Sequence, residues 1–271
     1  MNFKKSIIAA AAFIAMGAAS FAQAAPTFTV NVGSVNAIAP LVMGTAGVFQ
    51  AQSILAGSSE LLHRGIDPVT GLLTDSGSGY IQYSTFKNVD PVTGSTQNIA
   101  IAGFNLYVKF DLVDIVGAAP DGSNLLTSLS FTMYADRDNN TQFFASGTNA
   151  GGTGREAVVG GITSDDYILA TGSLIAGTAT TTPLGGAALN ANTTFNLTDD
   201  GKLFFVQPTP FFNLSFNGFN NPTGAAVVNN DGTLAINAGG TTEFNNVPEP
   251  TSIALLGLGL LAVGVTARRK S

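Results

Sequence analysis

The sequence predicts an all-β protein, an antiparallel β-sandwich of jelly-roll type with about ten to twelve short strands. Two observations predict this class. Apolar and polar residues alternate along several stretches, and 32 glycines with repeated Asp-Gly and Asp-Pro words supply tight turns between them. A strand with one apolar and one polar face is typical of half-buried antiparallel sheets. No stretch between the two termini shows a convincing helical period.

The clearest alternation lies in residues 105–112 and 128–135 and predicts part of the core. One face of these two strands carries the apolar set Leu106, Val108, Phe110, Phe131 and Met133. Tyr107 and Tyr134 fall on the opposite, polar face, so we expect both to be exposed. Weaker alternation predicts further strands at residues 28–32, 80–87, 167–174, 193–197, 203–206 and 211–219.

Turn chemistry predicts several of the connections. Residues 67–71 and 90–94 both read Asp-Pro-Val-Thr-Gly, in which Asp opens a turn, Pro fixes φ and Gly accepts a positive φ. We interpret them as two turns of similar design, and a repeat unit or a calcium loop is the alternative. Further hairpins are indicated at Asp121-Gly122, Asp200-Gly201 and Asp231-Gly232.

The N-terminal residues 1–24 have the organisation of a secretory signal peptide. Lys4 and Lys5 form a positively charged region, and residues 7–19 form an apolar region. Ala22 and Ala24 supply an A-x-A cleavage site. We therefore expect a signal helix, cleavage after Ala24, and an extracytoplasmic β-domain formed by residues 25–246.

The C-terminal residues 247–271 combine three segments in a fixed order. A stiff, extended spacer comes first, because proline lacks a backbone donor and restricts its neighbours. Residues 251–267 follow as an uncharged run that would extend roughly 25 Å as a helix, at the short end of what crosses a bilayer. A basic cluster then marks the cytoplasmic side and stops transfer. The spacer is Pro248, Glu249 and Pro250, and the basic cluster is Arg268, Arg269 and Lys270.

This order of segments closely resembles the PEP-CTERM sorting signal of Gram-negative bacteria. The resemblance covers residues 248–270 and implies recognition by an exosortase, a membrane enzyme that cuts near the Pro-Glu-Pro word. It implies a protein that is anchored transiently in the inner membrane and then reaches the cell surface or extracellular matrix. An ordinary single-span anchor is the alternative, and whether the tail is cleaved stays open.

The body resembles the flocculation-associated PEP-CTERM proteins. The resemblance rests on words such as residues 47–52 (GVFQAQ), 57–62 (GSSELL), 79–82 (GYIQ), 133–136 (MYAD) and 216–221 (FNGFNN). It implies a structural or adhesive role in exopolysaccharide-associated aggregation, in flocs or biofilm. The alternative is a carbohydrate-binding or polysaccharide-modifying module of the same matrix.

Composition limits the chemistry of the exported body. Of 11 basic residues, two lie in the signal peptide and three in the tail, and of 17 acidic residues only Glu249 lies outside the body. Six basic and sixteen acidic residues remain, a net charge near -10, which argues against nucleic acid and anionic lipid as partners. The chain has no cysteine, which excludes a thiolate nucleophile and a cysteine zinc site. We expect no cofactor and no metal.

Few residues are candidates for catalysis, and we predict a protein that is not an enzyme. His63 is the only histidine, and no G-x-S-x-G word accompanies it, so we expect a solvated side chain. Adjacent aspartates occur at residues 165–166 and 199–200. Neighbours on a strand point to opposite faces and cannot flank one glycosidic bond, so turn or cap positions explain these pairs better.

An acidic word follows the strand that is predicted to end at Ala135. Asp136, Asp138 and Asn140 match the opening of a D-x-D-x-N calcium loop. Thr141 stands where such a loop needs glycine for its sharp turn, and Gly147 stands where it needs a bidentate glutamate. We predict an acidic hairpin loop, and whether these three side chains hold an ion stays open.

Overall fold

The computed structural model describes residues 26–89, 95–181, 187–221 and 226–245. The predicted signal peptide, the second Asp-Pro-Val-Thr-Gly word and the predicted sorting tail lie outside the described residues. Within those ranges most residues lie in antiparallel strands, which confirms the predicted all-β class.

The described chain contains eighteen strands and three short helical segments. In chain order the strands are β1 (Phe28–Asn31), β2 (Val48–Ala51), β3 (Ser53–Ile66), β4 (Leu73–Val89), β5 (Thr96–Ala100), β6 (Asn105–Ile115), β7 (Asn124–Asp136), β8 (Thr141–Phe144), β9 (Gly147–Thr148), β10 (Gly154–Arg155), β11 (Val158–Gly161), β12 (Tyr167–Thr181), β13 (Ala187–Thr193), β14 (Asn196–Leu197), β15 (Phe205–Gln207), β16 (Asn213–Asn221), β17 (Ala226–Val228) and β18 (Thr233–Asn245). The helical segments are a 3₁₀ turn at Val32–Ser34 and α-helices at Ala39–Met43 and Asp199–Phe204.

Eight of the strands form one antiparallel sheet that closes on itself. Their order is β13-β16-β18-β3-β4-β6-β7-β12, and β12 pairs with β7 along one edge and with β13 along the other. Strands β5, β14 and β17 extend this sheet locally. The predicted sandwich of two stacked sheets is therefore corrected to a single large sheet around one interior. Both arrangements need an apolar inner face and a polar outer face, so strand alternation alone does not distinguish them.

The interior is the apolar core that the alternation predicted. The five side chains predicted to be buried in β6 and β7 are all 4% exposed or less. Register explains why they meet: Val108 lies opposite Met133, and Phe110 lies opposite Phe131. They belong to one continuous cluster of buried apolar residues.

Aromatic rings fill one end of the closed sheet. A small sheet of order β15-β1-β2 lies at the end where β18 finishes. Phe28 of β1 packs edge-on against Phe244 of β18, with ring centroids 4.6 Å apart, and Phe205 of β15 lies 5.6 Å from the same ring. Edge-to-face pairs of this kind each contribute about 0.5–1.5 kcal/mol beyond their burial. This end is therefore closed by packed rings.

The segment around residue 200 differs from the sequence prediction. The helix Asp199–Phe204 replaces the predicted hairpin at Asp200-Gly201 and the first half of the predicted strand 203–206. Thr198 caps this helix, because its Oγ1 accepts a hydrogen bond of 3.0 Å from the backbone N–H of Gly201. Both aspartates lie in the first turn, where the helix dipole favours negative charge. A six-residue helix is too short to produce a helical period.

Three of the predicted turns are confirmed, at residues 67–71, 121–122 and 231–232. Asp67 Oδ1 accepts hydrogen bonds from the backbone N–H groups of Val69 and Thr70, at 2.8 and 2.7 Å, and Gly71 has a φ of 72°. The carboxylate therefore closes the β3–β4 turn. Asp121 and Asp231 accept backbone N–H hydrogen bonds in the same way in the β6–β7 and β17–β18 turns.

Replacing Phe131 by alanine should destabilise the protein strongly. The ring is 4% exposed and packs edge-on against Phe216 at 5.4 Å, so its loss leaves a cavity in the closed sheet. We expect the free energy of unfolding to fall by about 3–5 kcal/mol, measured by urea denaturation. Phe144→Ala is the matched control, because that ring is 52% exposed, and it should cost less than about 1 kcal/mol. Equal losses in the two variants would contradict the assigned interior.

Candidate functional site

The most unusual side chains of the described chain are carboxyl groups that point into the closed sheet. Glu60 on β3 and Asp114 on β6 are 7% and 0% exposed. Oε2 of Glu60 and both carboxylate oxygens of Asp114 make no hydrogen bond of ordinary geometry, although the Asn124 side chain and the Asp75 backbone lie close enough to Asp114 to lower its pKa. A buried carboxylate without a partner is unfavourable, so these two groups need an explanation beyond packing.

An ion pair lies beside them at the same end of the sheet. Arg64 binds Asp75 through two parallel hydrogen bonds, Nε to Oδ1 at 2.8 Å and Nη2 to Oδ2 at 2.7 Å. Asp75 is fully buried and lies opposite Asp114 in the β4–β6 register. Because both carboxylate oxygens of Asp75 accept from the guanidinium, the charge of Arg64 is compensated within this pair. Glu60 and Asp114 are left without a cation of their own.

Their environment makes both unpaired groups weak acids. Burial raises the pKa of Glu60 to about 7, and the negative charge of Asp114 adds to this effect. Burial also raises the pKa of Asp114 to about 6. A hydrogen bond from the Asn124 side chain opposes this effect, the charge of Asp75 adds to it, and the charge of Arg64 opposes it. Both carboxyl groups therefore change charge close to neutral pH.

Both carboxyl groups line a narrow space inside the sheet. Its volume is about 20 Å³, close to what one water molecule occupies. Ser58, Thr180 and Thr181 are the hydroxyl residues of the lining, and Thr181 shares the inward phase of Ala179 whereas Thr180 alternates to the outer face. The rest of the lining is mainly apolar, including Leu62, Ile81, Phe110, Leu112, Phe219 and Ile236. A glycosidase needs room for a sugar ring between its two carboxyl groups. This space has room for a single small ligand.

The sequence contained a signal for this cluster that the prediction did not use. The inward phase of β6 runs through Leu106, Val108, Phe110 and Leu112, and two residues further along it reaches Asp114. Glu60 precedes the inward-facing Leu62 by two residues in the same way. A charged residue at an inward-facing position of a strand was the signal that could have predicted this cluster.

The acidic loop after β7 has the structure of a turn rather than of an ion site. Asp136 is fully buried, and its carboxylate accepts hydrogen bonds from the N–H groups of Asp138 and Thr141 and from Nδ2 of Asn105. Asp138 is exposed and lies 3.5 Å from Arg137 Nε. Asn140 Nδ2 approaches Asp165 Oδ2 at 3.5 Å. The three residues of the D-x-D-x-N word thus have different partners.

The predicted exposure of Tyr107 is wrong. Its side chain is fully buried, because β8 lies over this face and places the Phe143 ring 5.4 Å away. Tyr134 stacks on Tyr107 with ring centroids 5.0 Å apart, and the Tyr107 hydroxyl donates a hydrogen bond to Asp166. Burial raises the pKa of both Tyr107 and Asp166. The two tyrosines form a covered stack instead of an open platform for sugar rings.

His63 lies on the outer face of β3, where its Nε2 is 3.0 Å from Glu156 Oε1. Both side chains are about half exposed, at 53% and 50%. Ser76 is the cross-strand neighbour of His63 on β4. Among the described residues, no three His, Cys, Asp or Glu side chains form a group that could hold a metal ion.

Residues 26–89, 95–181, 187–221 and 226–245 contain no helix that is long and apolar enough to cross a membrane. The predicted span at residues 251–267 lies outside these ranges, as do the predicted cleavage residues Ala22 and Ala24.

Comparison with known families matches one segment of the chain. Residues 246–270 match the family model of the PEP-CTERM protein-sorting motif. The tail is a PEP-CTERM sorting motif. This motif implies an exported protein that an exosortase processes and that is sorted to the cell surface. The matched residues include the Pro-Glu-Pro word and the basic cluster, whose separate roles stay predictions.

No curated protein and no solved structure matches the chain. The family match covers the sorting motif alone, so the resemblance of the body to flocculation-associated proteins also stays a prediction.

Asp136→Ala should destabilise the protein in a pH-dependent way. Burial alone would raise the pKa of Asp136, but hydrogen bonds from Thr141 and Asn105 outweigh it and lower the pKa. The stabilisation is therefore complete above the unfolded pKa near 3.9 and is lost as the pH falls through the lower folded value. We expect a loss of roughly 2–4 kcal/mol at pH 7 by urea denaturation, because three donors lose their acceptor, and a smaller loss below about pH 4.

The matched control for this prediction is Asp138→Ala two residues away. Its side chain is 55% exposed, so the change should stay within about 0.5 kcal/mol at either pH. A similar loss in both variants would show that Asp136 does not organise the loop.

Glu249→Ala, or alanine in place of both Pro248 and Pro250, should trap the protein in the inner membrane. We expect the prolines to keep this segment extended and accessible at the outer bilayer surface, and Glu249 is the only charge between Phe244 and Arg268. Deletion of residues 268–270 should instead impair stop-transfer and orientation. The measurement is cell fractionation with an epitope placed just after Ala25. Arrival of the Glu249 and proline variants in the matrix at the native level would contradict the sorting role of this word.

Proposed function

We propose that this chain is a non-enzymatic matrix protein with a structural and adhesive role in exopolysaccharide-associated aggregation, in flocs or biofilm. The sorting motif carries this proposal, because it implies delivery of the body to the cell surface. A surface protein of an exopolysaccharide-producing cell is surrounded by that polymer. The body then acts as a folded module that contacts it.

A row of exposed polar side chains on the outer face of the sheet supports this role. Ser78 on β4 lies opposite Asp111 on β6, Asp111 opposite Ser130 on β7, and Ser130 opposite Ser173 on β12. All four are exposed, and directly opposed residues share one face of the sheet. We call these four residues the polar wall.

The spacing of the polar wall suits an extended polymer. Neighbouring strands lie about 4.8 Å apart, so the row extends about 14 Å across four strands. Hydroxyl and carboxylate oxygens at regular intervals form hydrogen bonds with successive sugar hydroxyls, each contributing about 0.5–1.5 kcal/mol net. Binding of this kind is weak at each sugar and adds up along a chain. The proposal therefore assigns polysaccharide contact to a surface and not to a pocket.

The alternative, a polysaccharide-modifying enzyme, has one specific observation in its favour. The exposed pair of His63 and Glu156 has the geometry of a base and its orienting carboxylate, with Ser76 beside it across the strands. Because this pair is exposed to water on the outer face of the sheet, we interpret it as a surface ion pair that contributes little to stability. The polar wall is the stronger support because it offers repeated contacts to a repeating ligand.

Removal of the polar wall should weaken both polysaccharide binding and aggregation. In the triple variant Ser78→Ala, Ser130→Ala and Ser173→Ala three hydroxyl groups are lost without added bulk. We expect retention on purified exopolysaccharide to fall about tenfold or more, and aggregation of a complemented deletion strain to fall with it. The measurements are co-sedimentation with the polymer and settling of the culture.

Two controls separate the proposal from its alternative. Thr96→Ala, Thr163→Ala and Ser164→Ala together remove three exposed hydroxyl groups away from the wall and should bind as the native protein does. His63→Ala should also leave aggregation unchanged. Loss of aggregation in the folded His63 variant, with the wall variant active, would favour the enzyme and overturn the proposal.

A further inference from the structure

The unpaired carboxyl groups inside the sheet call for a ligand. Three of their oxygens, Oε2 of Glu60 and both Oδ atoms of Asp114, are buried without a hydrogen bond of ordinary geometry, and the Asn124 side chain and the Asp75 backbone are the donors close to Asp114. Both side chains line the same narrow space, and both belong to residues that are more than nine-tenths buried. A polar group buried in this way is normally satisfied by protein, by water or by an ion.

The size of the space restricts the ligand to a single small one. A volume of about 20 Å³ accepts one water molecule or one monatomic ion. A sugar, a nucleotide or any organic cofactor would need a pocket of several hundred Å³.

The chemistry of the lining favours a hard cation. Its inward-facing polar side chains, Glu60, Asp114, Ser58 and Thr181, offer oxygen, and no residue of the lining offers a side-chain nitrogen or sulfur. Calcium takes six to eight oxygen ligands in flexible geometry, whereas magnesium demands near-ideal octahedral geometry and keeps several waters. The narrow and partly apolar space leaves little room for retained waters.

The charge of the cluster agrees with a divalent ion. Arg64 and Asp75 compensate each other, and Glu60 and Asp114 together carry two negative charges when ionised. One divalent cation would bring the cluster to neutrality.

We infer that Glu60 and Asp114 form a calcium site inside the closed sheet, completed by hydroxyl oxygens from β3 and β12. Two carboxylates and neutral oxygens make a site of modest affinity, in the range of about 10⁻⁴–10⁻³ M that extracellular modules use. The site ties β3 to β6 and to the end of β12 at the end of the sheet opposite the aromatic rings. Binding of extracellular calcium then stabilises this end of the sheet.

The test is calcium binding by the full chain in a nonionic detergent after treatment with EDTA, at pH 7.5. Equilibrium dialysis should find one bound calcium per chain, and calcium at ten times the dissociation constant should raise Tm by about 3–5 °C. Magnesium at the same concentration should raise Tm less. If the chain binds no calcium at about 10⁻² M, ten times the upper limit of the expected dissociation constant, the inference is overturned. Protons are then the only ligands of these carboxyl groups.

Two isosteric variants and one control locate the ion. Glu60→Gln and Asp114→Asn should each weaken calcium binding about tenfold or more, while their Tm in EDTA stays equal to or above the native value because each removes an unpaired buried charge. A purely structural role would instead lower Tm in EDTA. Asp138→Asn, in the loop with the calcium-like word, should bind as the native chain does, and loss of binding in this variant alone would place the ion there and overturn the inference.

Discussion

The pairing of β12 with β13 is the constraint on which the rest of the structure depends. Without it the eight strands would form an open sheet with two unpaired edges and a half-exposed apolar face. β12 is fifteen residues long and has irregular register near Ile168 and Leu174, where its partners change. Such irregularities bend a strand and increase its twist, which is what a closing sheet needs. Gly172 allows β12 to pack closely against the Phe131 ring of β7, because a Cβ at residue 172 would lie 2.2 Å from that ring.

Closure gives the two ends of the sheet different chemistry. With eight strands the interior is just wide enough for side chains to fill it, so any polar group that points inward is removed from water. At one end the inward positions carry phenylalanine, and these rings are buried against one another in the apolar core. At the other end they carry Glu60, Asp75 and Asp114, and within the described chain only Asp75 binds a cationic side chain through both of its oxygens. Gly79 leaves room between these elements, since a Cβ there would lie 2.7 Å from Glu60 Cβ and 2.9 Å from the Phe110 ring.

Sorting and contact with the matrix are assigned to separate parts of the chain. The sorting motif occupies residues 246–270 and directly follows β18, which ends at Asn245. This motif is defined by the order of its segments along the sequence, which are two prolines around one acidic residue, an apolar run and a basic end. The body contributes a folded outer face, on which the polar wall depends on the register of four strands. A change in either part can therefore be tested without changing the other.

The sequence alone determined the features that depend on local pattern. Alternation predicted the strands and the buried face of β6 and β7, and Asp, Pro and Gly predicted the β3–β4 turn through hydrogen bonds within a few residues. The order of segments in the tail predicted the sorting motif, because that motif is an arrangement of consecutive residues.

Tertiary structure alone decided the features that depend on which strands meet. Alternation is the same for two stacked sheets and for one closed sheet, so closure could not be predicted. Tyr107 was predicted to be exposed and is buried, because β8 covers that face from a distant point in the chain. Glu60 and Asp114 lie 54 positions apart in the sequence and share one narrow space only because β3, β4 and β6 pair in this register. Burial is a property of the whole fold, and the pattern of one strand carries no information about what covers it.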